Sequence, residues 1–458
     1  MQPFSFYSYP YDYTTSTGYS YPYSYSDSMD EDFNLPPLAR IGHAGHVKRC
    51  LSGLPDSQTD LDSSRLAVAF YCIGSLDLLG LIPDKIAQGD LDLWREWIWE
   101  QYVSGPNGAG FRPSPFMTPL PASSQNPSSS SDPSSDPGYE YANTPHIIMT
   151  YTALLTLSIL QDDFSRLDKA GLVRLLRACQ RADGSFGTVP PGSGSTSAPG
   201  SVTETESDLR TLYCAFVISS LLDCWDGVDV DRAVRYVKGC RTYEGGYGIS
   251  TGYEAQGGTT YIALASIYLA PSSSSSPSNS YRLTPTEKSQ TISWLVRMQH
   301  SEGGFCGRTN KSPDACYCFW CGASLKILDA DHLVDTRALL SFVADCQFKY
   351  GGIAKAPGET PDPYHTYLSL AALSIYSPRP PSPPPSAPSQ PVSSSPSTTL
   401  TTSSISASAS ISAPQPSHCH PPVDANKASW MLEPLDPLIN ARKGTARWAR
   451  ERLKLSTG

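Results

Sequence analysis

A short phrase returns four times along the chain: QRADGSFG at 180–187, CRTYEGGYG at 240–248, QHSEGGFCG at 299–307 and QFKYGGIAK at 347–355. Each follows an amphipathic stretch (166–179, 229–240, 284–299, 335–346) and precedes an apolar one (207–222, 258–269, 312–328, 363–375). Two weaker pairs fit upstream, 43–52 with 64–79 and 91–102 with 145–160. Leu66, Phe70, Ile73 and Leu76 keep helical spacing, and the other apolar stretches are hydrophobic nearly all round. Six amphipathic helices alternating with six buried ones, at a repeat of this length, imply a solenoid or a ring. Inner helices with no polar face favour closure, because an open solenoid leaves each of them one wet side. The predicted fold is all-α: an α/α barrel (toroid) of six helical hairpins. The paired glycines suit left-handed C′ positions after the outer helices. Ser207, Ser312–Pro313 and Pro145 are expected to open inner helices.

Composition sets the limits of this barrel. Residues 1–39, Tyr/Ser-rich at their start, and 378–422, Pro/Ser/Thr-rich, bury too little apolar surface to offset chain entropy and are expected to be disordered. Shorter stretches of the same kind interrupt the repeats at 122–138, 190–206 and 271–280. The barrel is assigned to 40–377, and 423–458 is expected to contain a basic terminal helix. A net charge of −9 with scattered basic residues gives no footprint for nucleic acid. No apolar run is long enough to span a bilayer, and the first residues lack the order of a signal peptide. Twelve cysteines without framework spacing point to reduced thiols and a cytoplasmic location.

Chemistry concentrates in SPDACYCFWCGASLKIL (312–328). At about 100° per residue, Cys316 and Cys318 point roughly 200° apart, so one helix cannot aim both at one metal. Cys318 and Cys321 suit small apolar core positions. Asp314 and Cys316 fall in the first turn, where the helix dipole favours anions. Asp-x-Cys alone is a weak signal, and a lone His365 is more often a hydrogen-bonded core residue. In a ring, however, His365 opens the next inner helix and lies beside them. Asp314, Cys316 and His365 then form an oxygen–sulfur–nitrogen set that suits zinc and leaves a fourth position open, the pattern of a catalytic site. Arg308 and Lys311 in the preceding loop, with Tyr317 on the helix, suit a phosphate-bearing leaving group, although two charges alone also describe a solvated loop. Asp208 and Arg210 are equally consistent with a structural ion pair. An aromatic interior (Tyr71, Tyr213, Tyr261, Trp320, Tyr364, Tyr367) suits a long apolar ligand or simple core packing.

GGFCGRTNKSPDACYCFW and GGIAKAPGETPDPYHTY, with SRLAVAFY, HIIMTYTALLTLSILQDDFSRLDK, DGSF and SDLRTLYCA, resemble the β subunits of protein prenyltransferases over about 40–377. The resemblance implies an α/α barrel, one zinc ion per β subunit, an isoprenoid diphosphate donor and a C-terminal CaaX cysteine as acceptor. It also implies an obligate α subunit, with which the chain forms a heterodimer. Asp314, Cys316 and His365 match the family's zinc ligands. Lys311 and Tyr317 join them as catalytic residues, and Arg308, Lys311, Tyr317, Lys355 and Gln256 match the diphosphate contacts. Ala67, Tyr71, His146, Arg210, Trp320 and Tyr364 correspond to the isoprenoid and peptide pocket. One departure is Gln256, where the family usually carries histidine.

Two positions favour the type I branch, which transfers a C20 geranylgeranyl group. Small Ala67 stands where the farnesyl branch has a tryptophan, and Lys355 stands where that branch has a magnesium-associated aspartate, so magnesium is not expected to be required. Tyr364 beside the histidine is farnesyl-like, which keeps a C15 donor as the alternative. A triterpene cyclase would need an Asp-x-Asp-Asp or Asp-Asp-x-x-Asp cluster, and the sequence has neither. A non-catalytic binding barrel is the third reading.

Overall fold

Turn glycines explain why the phrase repeats. The computed structural model describes residues 35–113 (apart from 56–57, 59–60 and 62), 144–191, 206–271, 281–377 and 425–455. Gly184, Gly245, Gly303 and Gly351 all have positive φ, between 92° and 105°. They do not sit at C′ as expected, but inside tight turns several residues beyond each helix end, closed by pairings such as Gln180 with Phe186 and Gln299 with Phe305. At each, a Cβ would strike the backbone of the next outer helix: Arg232, Gln290, Ala338 and, at the last, Gly42. Glycine is therefore needed twice over, for the conformation and for the backbone contact.

Six outer helices, α1 (Arg40–Ser52), α3 (Gln88–Trp99), α5 (Lys169–Cys179), α7 (Val230–Gly239), α9 (Pro285–Arg297) and α11 (Thr336–Asp345), alternate with six inner ones, and the four turns follow the last four outer helices. The inner helices are α2 (Arg65–Leu78), α4 (Ile147–Ile159), α6 (Leu209–Leu222), α8 (Gly257–Leu269), α10 (Ala315–Ile327) and α12 (Pro363–Tyr376). Each inner helix packs on the next, and α12 packs back on α2, closing the ring. In the second hairpin a short β-ribbon, β1 (Tyr102–Gly105) with β2 (Gly108–Phe111), takes the place of a glycine turn. A two-residue ribbon, β3 (Phe305–Cys306) with β4 (Pro313–Asp314), leads into α10. Of the tail expected to be disordered at 1–39, residues 1–34 lie outside the described residues, as do the linker at 378–422 and most of the three insertions. Residues 35–39 are instead part of the fold, with Leu38 buried and the Pro36 carbonyl bonded to Trp430.

The chain after 424 is more than a terminal helix. A short helix α13 (Ala425–Ser429), the ribbon β5 (Leu435–Asp436) with β6 (Ala441–Arg442), and helix α14 (Lys443–Leu453) pack against the C-terminal ends of the inner helices. The β5–β6 loop enters the barrel. Tyr151, Tyr213, Tyr261 and Tyr367 each occupy the fifth position of an inner helix. Their hydroxyls donate in order to the carbonyls of Ile439 (3.2 Å), Leu438 (3.1 Å), Pro437 (2.9 Å) and Asn440 (2.7 Å). Three tyrosines read from the sequence as candidates for a ligand wall thus hold the far end of the barrel shut. Among the described residues, this terminal segment leaves uncovered the end bearing the N-termini of the inner helices, the barrel mouth.

Candidate metal centre at the barrel mouth

Five of the six inner helices begin with a side-chain cap, and these caps line the mouth. His146 accepts from the Met149 amide, Asp208 from Arg210, Gln256 from Thr259, Asp314 from Cys316 and Asp362 from His365. Where Ser207, Ser312–Pro313 and Pro145 were expected to open helices, the cap falls one residue further on. A carboxylate satisfies the free amides and also meets the positive end of the helix dipole.

On α10 the cap becomes part of a cluster. Asp314 Oδ1 accepts from the Cys316 amide at 2.9 Å and lies 3.4 Å from His365 Nε2 on α12. One donor atom each of Asp314, Cys316 and His365 lies within 4.8 Å of the other two. His365 is oriented by Asp362, whose Oδ2 is 2.6 Å from Nδ1, leaving Nε2 directed at the cluster. A carboxylate behind a ligating histidine is a common device for fixing ring and tautomer. The sequence reading missed Asp362. Its signal was an aspartate at the same cap position as Asp314, one repeat later.

Electrostatically the cluster favours positive charge. Burial opposes the imidazolium, yet hydrogen bonds to Asp314 and Asp362 raise the His365 pKa to about 9. Burial pushes Asp314 up, but the His365 bond and the amide of Cys316 outweigh it and hold its carboxyl below the usual range. Burial and the adjacent Asp314 carboxylate push the Cys316 thiol far up. Carboxylate, thiol and imidazole, buried together and oriented from behind, fit a borderline-soft divalent cation. Cys318 and Cys321 are fully buried core residues outside the cluster.

The other site candidates divide into three groups. Arg308 is in the loop before α10 and pairs with Glu254 at 3.0 Å, a partner the sequence reading did not name. Lys311 is exposed in the same loop, while Lys355 is half-buried and its carbonyl accepts from the Ala315 amide at 2.8 Å. Tyr317 receives a 2.9 Å hydrogen bond from Gln256. A second group joins Trp320, whose indole N–H donates to the Tyr364 hydroxyl at 3.1 Å, to Tyr71, edge-on to Tyr364 at 5.3 Å. Tyr364 also lies against the His365 ring at 5.0 Å. Ala67, on the first turn of α2, is buried. The third group is held elsewhere: Arg210 is bound by Asp208 at 2.6 Å and Glu206 at 3.1 Å. His146 is a helix cap, and burial, with Arg210 nearby, lowers its pKa to about 4.

A closed α/α toroid in which Asp314, Cys316 and His365 could together hold a metal ion, with cationic side chains in the adjacent loops, has the form of a toroid enzyme with a candidate metal centre. Residues 38–441 match the prenyltransferase alpha-alpha toroid domain, and the chain belongs to that family. It is 33% identical over 337 residues to the geranylgeranyl transferase type-1 subunit beta of Arabidopsis thaliana, covering 73% of this chain and 84% of that one. It is 35% identical over 346 residues to the same subunit of Dictyostelium discoideum, covering 72% and 89%. The structure of Candida albicans protein geranylgeranyltransferase-I complexed with GGPP shares the fold, with a TM-score of 0.66 at 22% identity over 92% of this chain and all of that one.

Proposed function

We propose that this chain is the catalytic β subunit of a cytoplasmic protein geranylgeranyltransferase type I. It transfers a C20 group from geranylgeranyl diphosphate to the cysteine of a C-terminal CaaX motif, in a heterodimer with an α subunit. The observation that carries the reading is the convergence of Asp314, Cys316 and His365, from the N-terminal ends of two adjacent inner helices, at the barrel mouth. These residues would hold zinc, which when bound supplies the Lewis acidity that keeps the acceptor cysteine as its thiolate. Asp362 fixes the His365 ring so that Nε2 remains the ligating nitrogen. Arg308, Lys311 and Lys355 provide cations for the diphosphate as charge builds on its oxygens, and Tyr317 provides a hydroxyl donor. Lys355 takes the place of a divalent cation in this role, so no magnesium is required. Tyr71, Trp320 and Tyr364 offer an aromatic surface to the isoprenoid and the peptide, and Ala67 leaves space for the fourth isoprene unit.

Tyr364, adjacent to the metal histidine, favours a second reading in which the donor is the C15 farnesyl diphosphate. Burying five further carbons is worth at most about 4 kcal/mol at roughly 0.8 kcal/mol each, close to a thousandfold preference. Competition between the two donors on one CaaX peptide ending in leucine decides the matter. The heterodimer should prefer C20, and Ala67→Trp should shift it toward C15. A wild-type preference for C15 selects the farnesyl reading.

A further inference from the structure

Tyr317 is held more firmly than a surface phenol needs to be. Its ring lies against the backbones of two glycines: a Cβ at Gly307 would strike the ring and its hydroxyl, and a Cβ at Gly257 would crowd its edge. The two glycine backbones are joined by a 2.8 Å hydrogen bond from the Gly257 amide to the Gly307 carbonyl. Gln256, only 8% exposed, supplies the third contact.

The helix end decides which way the Gln256 amide faces. The first turn of α8 has free N–H groups, so the side-chain oxygen must be the atom that accepts from Thr259. The nitrogen then faces Tyr317 and donates to its oxygen at 2.9 Å. A phenol oxygen that accepts from an amide directs its own proton elsewhere. Arg308, next to Gly307 in sequence, acts electrostatically on the same phenol and is held by Glu254, two residues before Gln256. One tripeptide, Glu254-Ala255-Gln256, therefore steadies both a cation and a hydroxyl of the neighbouring repeat.

We propose that Gln256 is a positioning residue: its amide caps α8 on one side and, on the other, orients the Tyr317 hydroxyl so that its proton is offered to the departing diphosphate. In the transfer the C1–oxygen bond breaks with its electron pair staying on the diphosphate, and the sulfur–C1 bond forms. Tyr317 keeps its proton and only donates a hydrogen bond. This inference rests on the transferase reading above. It assigns Gln256 an indirect role, through Tyr317, in place of direct contact with the donor.

The test is a double-mutant cycle in the full heterodimer, with geranylgeranyl diphosphate and a CaaX peptide ending in leucine. Gln256→Met keeps side-chain volume but neither caps nor donates, and should lower kcat about tenfold with less than about a threefold change in donor KM. Tyr317→Phe should lower kcat by at least as much, and the double variant should fall no more than about twofold below Tyr317→Phe alone. Gln256→His should recover most of the loss. His146, capping α4 through Nδ1 at the equivalent position, shows that a histidine can cap there and leave its other nitrogen to donate. The proposal is overturned if the two single losses multiply in the double variant, or if Gln256→Met raises donor KM with kcat unchanged. Where Gln256→Met does not fold, Gln256→Ser, which can still cap α8 but is too short to reach Tyr317, takes its place in the same cycle with the same expected and overturning outcomes. A wild-type heterodimer that transfers neither prenyl group overturns the transferase reading and this inference with it.

Discussion

At the residue scale, the chemistry of the mouth rests on a few side chains that do two things at once. Asp314 caps α10 and contributes to the cation cluster, and Asp362 caps α12 and holds His365. Replacing Cys316 by alanine should abolish retention of bound zinc, measured by elemental analysis of the purified heterodimer, with helical content unchanged. Stoichiometric zinc in that variant would remove Cys316 from the ligand set. Asp362→Asn should weaken zinc by about 10–100-fold, because the amide can still orient the ring but no longer raises its basicity. Competition with a chromogenic chelator measures this, and an unchanged affinity would show that Asp362 acts only as a cap.

At the element scale, the seam between first and last hairpins depends on a buried neutral histidine. His43 on α1 accepts from the Gly352 amide through Nδ1 at 3.0 Å. Its Nε2–H therefore donates to Gln347, also at 3.0 Å. Burial is the chief cause that lowers its pKa to about 4; the Gln347 bond opposes it. The unfolded chain binds a proton near pH 6.5, and the folded seam does so only near pH 4. Stability from this group is therefore complete above about pH 6.5 and is lost as pH falls toward 4, a loss of about 3 kcal/mol. His146 shifts in the same direction, so His43→Gln should remove only part of the acid sensitivity. Hydrogen exchange across 40–52 and 347–353 at pH 7.5 and pH 5 should show the seam opening first in wild type. Equal protection at both pH values would contradict this.

At the scale of the whole molecule, the barrel is completed by residues far from it in sequence. Asp77, at the end of α2, is buried and paired with Arg442 at 2.8 Å, and Thr445 donates to its other oxygen at 2.5 Å. Burial still pushes Asp77 up to about 6. Trp430 is 1% exposed and donates to the Pro36 carbonyl, tying the two ends of the described chain together. Arg442→Met should cost about 3 kcal/mol at pH 7.5, the scale of leaving one partner of a buried pair alone. The cost should shrink at pH 5, where a lone Asp77 protonates. Urea unfolding at the two pH values measures both, and a pH-independent loss would mean that Arg442 contributes packing alone.

The hairpin count and the order of inner and outer helices were legible from periodicity alone. An apolar stretch hydrophobic all round has to be covered on every side, and a glycine phrase at regular intervals has to mark equivalent turns. The clustering of Asp314, Cys316 and His365 was legible for the same reason: in a ring of equal repeats, Cys316 and His365 occupy neighbouring positions whatever the sequence between them. Asp362, Glu254 and the Gln256–Tyr317 bond were not legible, because a carboxylate or amide acquires its role from what faces it across a helix pair. The terminal segment was the least legible. Its 430–455 stretch carries no repeat signal, and the tyrosines that receive it look in sequence like lining for a cavity. Local pattern determines which residues must be buried; only the closed tertiary ring decides against what, since that contact joins carbonyls at 437–440 to hydroxyls up to nearly three hundred residues away.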